Sequence, residues 1–111
     1  MSRRVGIALV NGIECARIEE LDAGAGYRFG YLPEYLARPD AVAVSLTLPC
    51  RVEPCESRRL FPFFCGLLAE GSLREMQCRK YRIDPEDDFG LLLRTAGEDV
   101  IGAVTVKEAA E

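Results

Sequence analysis

The dipeptide Asn11-Gly12 constrains this chain more than any other feature. It lies between two short runs, Val5-Gly6-Ile7-Ala8-Leu9-Val10 and Ile13-Glu14-Cys15-Ala16-Arg17-Ile18-Glu19. Asn-Gly in that setting predicts a β-hairpin, because a type I′ turn needs positive φ at both central residues, and these two residue types tolerate it. A chain that starts this way builds a sheet outward from its first hairpin. Ala23-Gly24-Ala25-Gly26 is then a loop, and Tyr27-Arg28-Phe29-Gly30-Tyr31 alternates as a half-buried strand does. The glycines from Gly24 to Gly30 imitate a dinucleotide fingerprint. They leave three residues where two are required, and they precede a strand instead of following one, so a hairpin loop is the better reading. Pro33-Glu34-Tyr35-Leu36 suits one helical turn with proline at its first position. Val42, Val44, Leu46 and Leu48 share one parity, which predicts another strand from Ala41 to Leu48, stopped by Pro49. Residues 50–59 lack periodicity and contain a proline, and read as a loop or ragged edge.

Past residue 60 the period changes. Phe61, Phe64, Leu67 and Leu68 make one helical stripe starting near Pro62 and broken by Gly71. Ser72-Leu73-Arg74-Glu75 matches a capping box, with the Ser72 hydroxyl accepting from the Glu75 N–H, and predicts a second helix to about Lys80. Asp84-Pro85-Glu86-Asp87 reads as a third helix start: a cap, a proline at the first position and acid in the first turn. Phe89, Leu92 and Leu93 are its inward stripe, and Gly97 is its end. Val100 to Val106 closes the chain as a strand. The expected fold is α+β: a small, mainly antiparallel, barrel-like sheet with three short helices between the penultimate and last strands, in a single domain over residues 1–111.

Composition narrows the function. The 111 residues are 49% hydrophobic and 29% charged, enough for one modest core without staples. A net charge of -4 lacks the basic footprint of a stand-alone nucleic-acid binder. No run approaches the roughly 18 apolar residues of a membrane helix, and Met1-Ser2-Arg3-Arg4-Val5 is not followed by a secretory apolar region. A cytoplasmic location is the expectation. The chain has no histidine, so serine–histidine and cysteine–histidine catalysis within it are excluded, together with any histidine-bound zinc. The five cysteines, Cys15, Cys50, Cys55, Cys65 and Cys78, are odd in number and lack two close pairs, and read as free thiols behaving as small apolar residues. Neither a metal nor any other cofactor is expected.

Several short motifs resolve into packing. Asp88-Phe89-Gly90 spells the magnesium-binding tripeptide of protein kinases, but such a site also needs a catalytic loop of the H-R-D type, which a chain without histidine cannot supply. The structural reading puts Asp88 in a helix's first turn and Phe89 inward. The acidic group Asp84, Glu86, Asp87 and Asp88 is explained by helix capping more simply than by a divalent ion. Glu70, Arg74 and Glu75 read as a salt-bridged helix end. Arg58-Arg59 and Arg79-Lys80 are basic doublets too small to imply nucleic acid. Phe61-Pro62-Phe63-Phe64 holds three of the five phenylalanines. Two can anchor the core; a third, Phe63, is left to anchor a partner.

Three ordered blocks carry a family resemblance. They are Ser45-Leu46-Thr47-Leu48-Pro49; Phe63-Phe64-Cys65-Gly66-Leu67-Leu68-Ala69-Glu70-Gly71; and Asp88-Phe89-Gly90-Leu91-Leu92 with the ending Ala96-Gly97-Glu98-Asp99-Val100-Ile101-Gly102-Ala103-Val104. Together they resemble the amino-terminal subdomain of HipA-type serine/threonine kinases, the toxins of bacterial toxin–antitoxin systems. Ala69 stands where that family usually has proline, and Val100 where it often has cysteine. In single-chain kinases the subdomain precedes a kinase core, whereas here the first strand opens just after Met1 and Ala109-Ala110-Glu111 follows the last. The stand-alone form resembles HipS of split, three-gene HipBST systems. That resemblance implies a non-catalytic antitoxin that binds and restrains a separate HipT-like kinase toxin, with a HipB-like DNA-binding protein as third member. The contact surface expected from it is Phe63, Cys65, Ala69, Glu70, Gly71 and Arg74, with the irregular 50–59 segment beside them. The competing readings are a structural fragment of a longer kinase and an enzyme using the carboxylates of Glu70 and Glu75.

Overall fold

In the computed structural model, described over residues 4–21, 26–95 and 104–109, the chain builds a five-stranded antiparallel sheet with four helices. The elements run β1 (Val5–Val10), β2 (Ile13–Glu20), β3 (Tyr27–Tyr31), α1 (Pro33–Leu36), β4 (Cys55–Ser57), α2 (Pro62–Cys65), α3 (Gly71–Tyr81), α4 (Asp88–Thr95) and β5 (Val104–Glu108). In space the strands lie β4-β3-β2-β1-β5, so β4 and β5 form the two edges. The mainly antiparallel α+β plan, with three helices between the penultimate and last strands, is the one expected. Ala23 to Ala25, the helix end at Gly97 and Val100 fall outside the described residues.

The first hairpin forms where expected. Val10 pairs with Ile13, and Asn11 and Gly12 take φ values of 51° and 83°. The register between β1 and β2 then shifts, because Ala8 faces Ala16 while Leu9 faces Glu14, leaving Cys15 as an extra residue on β2. This bulge lets two consecutive side chains, Cys15 and Ala16, both be buried. Residues opposite each other in an antiparallel pair share a face. The registers therefore put Ala8, Ala16, Ile18, Phe29, Tyr31 and Val106 on one face, and all of them are buried. The other face carries Glu14, Arg17, Glu19, Arg28 and Lys107, tied across strands by Lys107–Glu14 at 2.8 Å and Arg28–Glu56 at 2.9 Å.

Phe29 is the hub of the core. Its ring lies 5.0 Å from Tyr31, 5.7 Å from Phe64 and 6.1 Å from Phe61, at tilted or edge-on angles that suit aromatic quadrupoles. Helix α4 supplies Phe89, Leu91, Leu92 and Leu93, all buried. The approach of α4 depends on Gly6, because a Cβ there would lie 2.8 Å from Leu93 Cδ2 and 3.2 Å from Val106 Cγ1.

Three expectations about residues 41–68 need correction. Residues 41–48 are not a strand. Val44 and Leu48 are buried, whereas Val42 is exposed and Leu46 wholly so, and the pairing there is one isolated bridge, Ser45 to Leu48. Tyrosine hydroxyls stand in for strand partners: Tyr31 accepts from the Val44 N–H at 3.0 Å and donates to the Leu48 carbonyl, and Tyr35 accepts from the Val42 N–H at 3.0 Å and donates to its carbonyl at 2.9 Å. Within residues 50–59, Cys55–Ser57 forms the edge strand β4, paired with Tyr27, Arg28 and Phe29. The stripe from Phe61 to Leu68 is buried largely as expected, but only Pro62–Cys65 is helical; beyond it Leu67 and Leu68 donate three residues back in tight turns.

The helix starts also differ. α3 begins at Gly71, whose φ of 64° sets the entry, and no side chain caps it, so the Ser72–Glu75 box does not form. It ends at Arg82 in the left-handed region, with the Ile83 N–H closing onto the Cys78 carbonyl at 2.9 Å. Asp84 makes a turn, accepting from the Glu86 N–H at 2.9 Å, and the cap of α4 is Asp87, which accepts from the Gly90 N–H at 3.1 Å.

Candidate interaction surface

The expected contact residues form one continuous stretch from α2 into α3. Pro62 at the first position of α2 fixes the turn so that Phe64 points inward and is fully buried, while Phe63 is half-buried with its ring edge-on to Phe64 at 5.2 Å. Phe61 and Phe64 thus anchor the core, and Phe63 remains partly free. Cys65 is exposed at the end of α2, Ala69 is half-buried, and Glu70 and Gly71 are exposed where α3 begins. Although Cys65 as a whole is exposed, its thiol turns to the Leu60 carbonyl at 3.6 Å, and local desolvation, then the charge of Asp88, push it up, with Arg74 acting the other way. It is therefore a poor thiolate at neutral pH.

Arg74 does not bridge to Glu70 or Glu75, as the sequence suggested. Its guanidinium donates to Asp88 Oδ1 at 2.6 Å and to the Pro85 carbonyl at 2.6 Å, clamping α3 to the start of α4. Glu70 and Glu75 are exposed, which denies them the desolvated cleft a catalytic carboxylate needs. The kinase-like tripeptide is absorbed by packing: Asp88 opens α4 against Arg74, and Phe89 is fully buried.

α3 is turned inside out relative to a usual amphipathic helix. Its inward residues are Arg74, Gln77, Cys78 and Tyr81, and its outward face shows the apolar Leu73 and Met76. Two cations approach the Tyr81 ring, with Lys80 Nζ and Arg94 Cζ each 5.2 Å from its centre. Sequence reasoning missed Leu73 and Met76, although their i, i+3 spacing was a usable signal.

The densest ion-pair cluster is built on Arg4 and was not legible in the sequence. Arg4 reaches Glu20 at 2.7 and 2.9 Å and Asp87 at 2.8 and 3.1 Å, and its guanidinium stacks 5.4 Å over Phe89. Hydrogen bonds from Arg4 hold the Glu20 carboxyl below its usual range. Burial alone would raise Asp87, but Arg4 and the Gly90 N–H outweigh it and hold that carboxyl low as well. An open cavity of about 290 Å³ lies beside this cluster, lined by Arg4, Arg82, Arg94, Asp84, Asp87 and Glu108 among others. Each carboxylate of the pair already has a cation, so the cluster reads as a fastener. Among the described residues, no group of three or more cysteine, aspartate or glutamate side chains is placed to hold a metal ion. All five cysteines are free, and burial pushes the Cys15 thiol up to about 11. No described helix is long and apolar enough to cross a membrane.

The chain is a small α+β domain in which helices cover one face of an antiparallel sheet. Residues 7–107 match the family model of the HipA N-terminal domain, and the chain belongs to that family. A solved structure, the N-terminal domain of HipA toxin, superposes with a TM-score of 0.71 at 29% identity, covering 97% of this chain and 94% of that one. An uncharacterized protein of Haemophilus influenzae is 39% identical over 83 residues, which are 75% of this chain and 74% of the relative. The putative kinase Y4mE of Sinorhizobium fredii is 40% identical over 76 residues, 68% of this chain but only 18% of that protein.

Proposed function

We propose that this chain is a non-catalytic, HipS-like antitoxin of the cytoplasm that binds and restrains a separately encoded HipT-like serine/threonine kinase toxin. The observation that carries this reading is the relative in Haemophilus influenzae, where the 83 matched residues make up 74% of the protein. That relative is itself about the size of one such domain, which supports a role for the fold apart from a fused kinase. The match to 18% of a putative kinase supplies the kind of partner.

The mechanism is a shift of population. A small domain that binds one conformation of the kinase more tightly than another changes its activity by the difference in affinity, with no chemistry of its own. Phe63, Cys65, Ala69, Glu70, Gly71 and Arg74 form the contact, with Phe63 as aromatic anchor and the Arg74–Asp88 clamp keeping α3 and α4 in register around it. A HipB-like DNA-binding protein completes the assembly, and nucleic acid is touched only through it.

Co-expression with the HipT-like kinase of the same operon, scored for copurification and for rescue of growth, tests this. Binding with rescue supports the antitoxin. Binding without rescue replaces it with an assembly subunit. The absence of such a gene, or of binding, overturns it in favour of the second reading, a structural amino-terminal portion of a HipA-type kinase, which the Y4mE match favours.

A further inference from the structure

We propose that the turn Ser45–Leu48 is a preformed docking finger whose Leu46 side chain enters an apolar pocket on the kinase polypeptide. This rests on the proposed function for the identity of the partner, and adds a surface outside the α2–α3 stretch. Leu46 is 100% exposed, while Val44 and Leu48 on either side are buried. The fold thus makes no use of the Leu46 side chain. Val42 and Val52, 53% and 82% exposed, extend the apolar character along the same segment.

Isolated surface leucines need no explanation, but this one has an unusually firm mount. The Tyr31 hydroxyl holds Val44 and Leu48, and the Tyr35 hydroxyl holds Val42. The two rings stack 6.2 Å apart at 12°, and they stand on β3 and α1. Within the turn, the Leu48 N–H donates to the Ser45 carbonyl at 3.1 Å, the Thr47 N–H donates to Ser45 Oγ at 3.2 Å, and the two hydroxyls meet at 3.0 Å. A loop fixed in advance loses little entropy on binding, so burial of its tip converts more fully into affinity.

A protruding leucine needs a concave apolar receptor. The cavity described beside α4 carries six charged side chains in its lining, with Tyr81, Ile83, Gly90 and Leu93 beside them, and is a largely polar receptor for a leucine from a second copy. A kinase body fits better, since the matched domain is 18% of Y4mE and lies in one polypeptide with the remaining length.

The test measures the affinity of the full chain for the HipT-like kinase, alongside thermal melting, for wild type, Leu46→Arg and Leu46→Met. Leu46→Arg is expected to weaken binding by roughly tenfold or more with unchanged melting, and Leu46→Met to stay near wild type. Wild-type binding that Leu46→Arg leaves intact overturns the finger and leaves the antitoxin reading standing. A wild type that does not bind overturns both. Self-association of the wild type that Leu46→Arg abolishes, without any effect on the kinase, assigns the finger to a second copy and overturns the proposal.

Discussion

Arg4 and Asp87, 83 positions apart in the chain, meet in a two-pronged ion pair with contacts of 2.8 and 3.1 Å. The other Asp87 contact is the Gly90 N–H, so one carboxylate both caps α4 and fastens it to the start of β1. Glu20 completes the clamp from the end of β2.

Arg4→Ala should lower stability by about 1–3 kcal/mol, a range that already allows for solvent screening of a guanidinium that is 36% exposed. Glu20 and Asp87 are both held below their usual range. Their contribution is therefore fully present above the ordinary carboxylate pKa and is lost as pH falls through the depressed values. Urea midpoints taken between about pH 5 and about pH 2 should fall more steeply for wild type than for Arg4→Ala. Parallel slopes would remove the clamp from the account.

Tyr31→Phe deletes one hydroxyl and strands two backbone groups, the Val44 N–H and the Leu48 carbonyl, in a buried setting. The expected loss is about 1–3 kcal/mol by chemical denaturation. Burial pushes the phenol up to about 12, so its contribution is fully present below the ordinary tyrosine range and lost as pH rises through about 12. Alkaline unfolding should accordingly be less steep in the variant.

Gly6→Ala forces a methyl group against Leu93 and Val106 and should cost about 1–3 kcal/mol. Because the nearer contact is the end of a leucine side chain, Leu93→Ala in the same chain should cost less than it does alone. A double-mutant cycle by thermal melting measures the coupling, and simple additivity would mean that α4 is free to move away.

The phenylalanine pair separates core from surface. Phe64→Ala opens a void under Phe29 and should cost about 3–5 kcal/mol, whereas Phe63→Ala, truncating a half-buried ring, should cost clearly less and weaken partner binding instead. Melting and affinity, measured on the same preparations, distinguish the two.

Features of the sequence that are written locally were the legible ones. Asn11-Gly12 carries its turn chemistry in two adjacent residues, and Phe29 and Tyr31 show their shared face through simple alternation. β4 was missed because Cys55–Ser57 is a strand only by virtue of Tyr27–Phe29, far back in the chain. The alternation from Val42 to Leu48 misled because only Val44 and Leu48, four apart, reach the core, and the hydroxyl that holds both belongs to Tyr31, while Tyr35 holds Val42. The same limit applied to the site. The exposure of Phe63 could be argued from three crowded phenylalanines, but the partner of Arg74 is Asp88, 14 residues on, and not a carboxylate of its own helix. Asp87 replaced Asp84 as the cap because the Asp84-Pro85-Glu86 stretch closes on itself as a turn before α4 begins.

The seam between β1 and β5 has a consequence for synthesis. Gly6 pairs with Glu108 and Val10 with Val104, so the first hairpin keeps one side without a neighbour until a strand 94 or more positions further along has been made. β1, β2 and β3 can assemble from sequence-local turns while the ribosome is still translating. Closing the seam spans nearly the whole chain, and the entropy of that closure makes it the slow and late event. Until then, the β1 edge is the part of the nascent protein most exposed to pairing with the wrong strand.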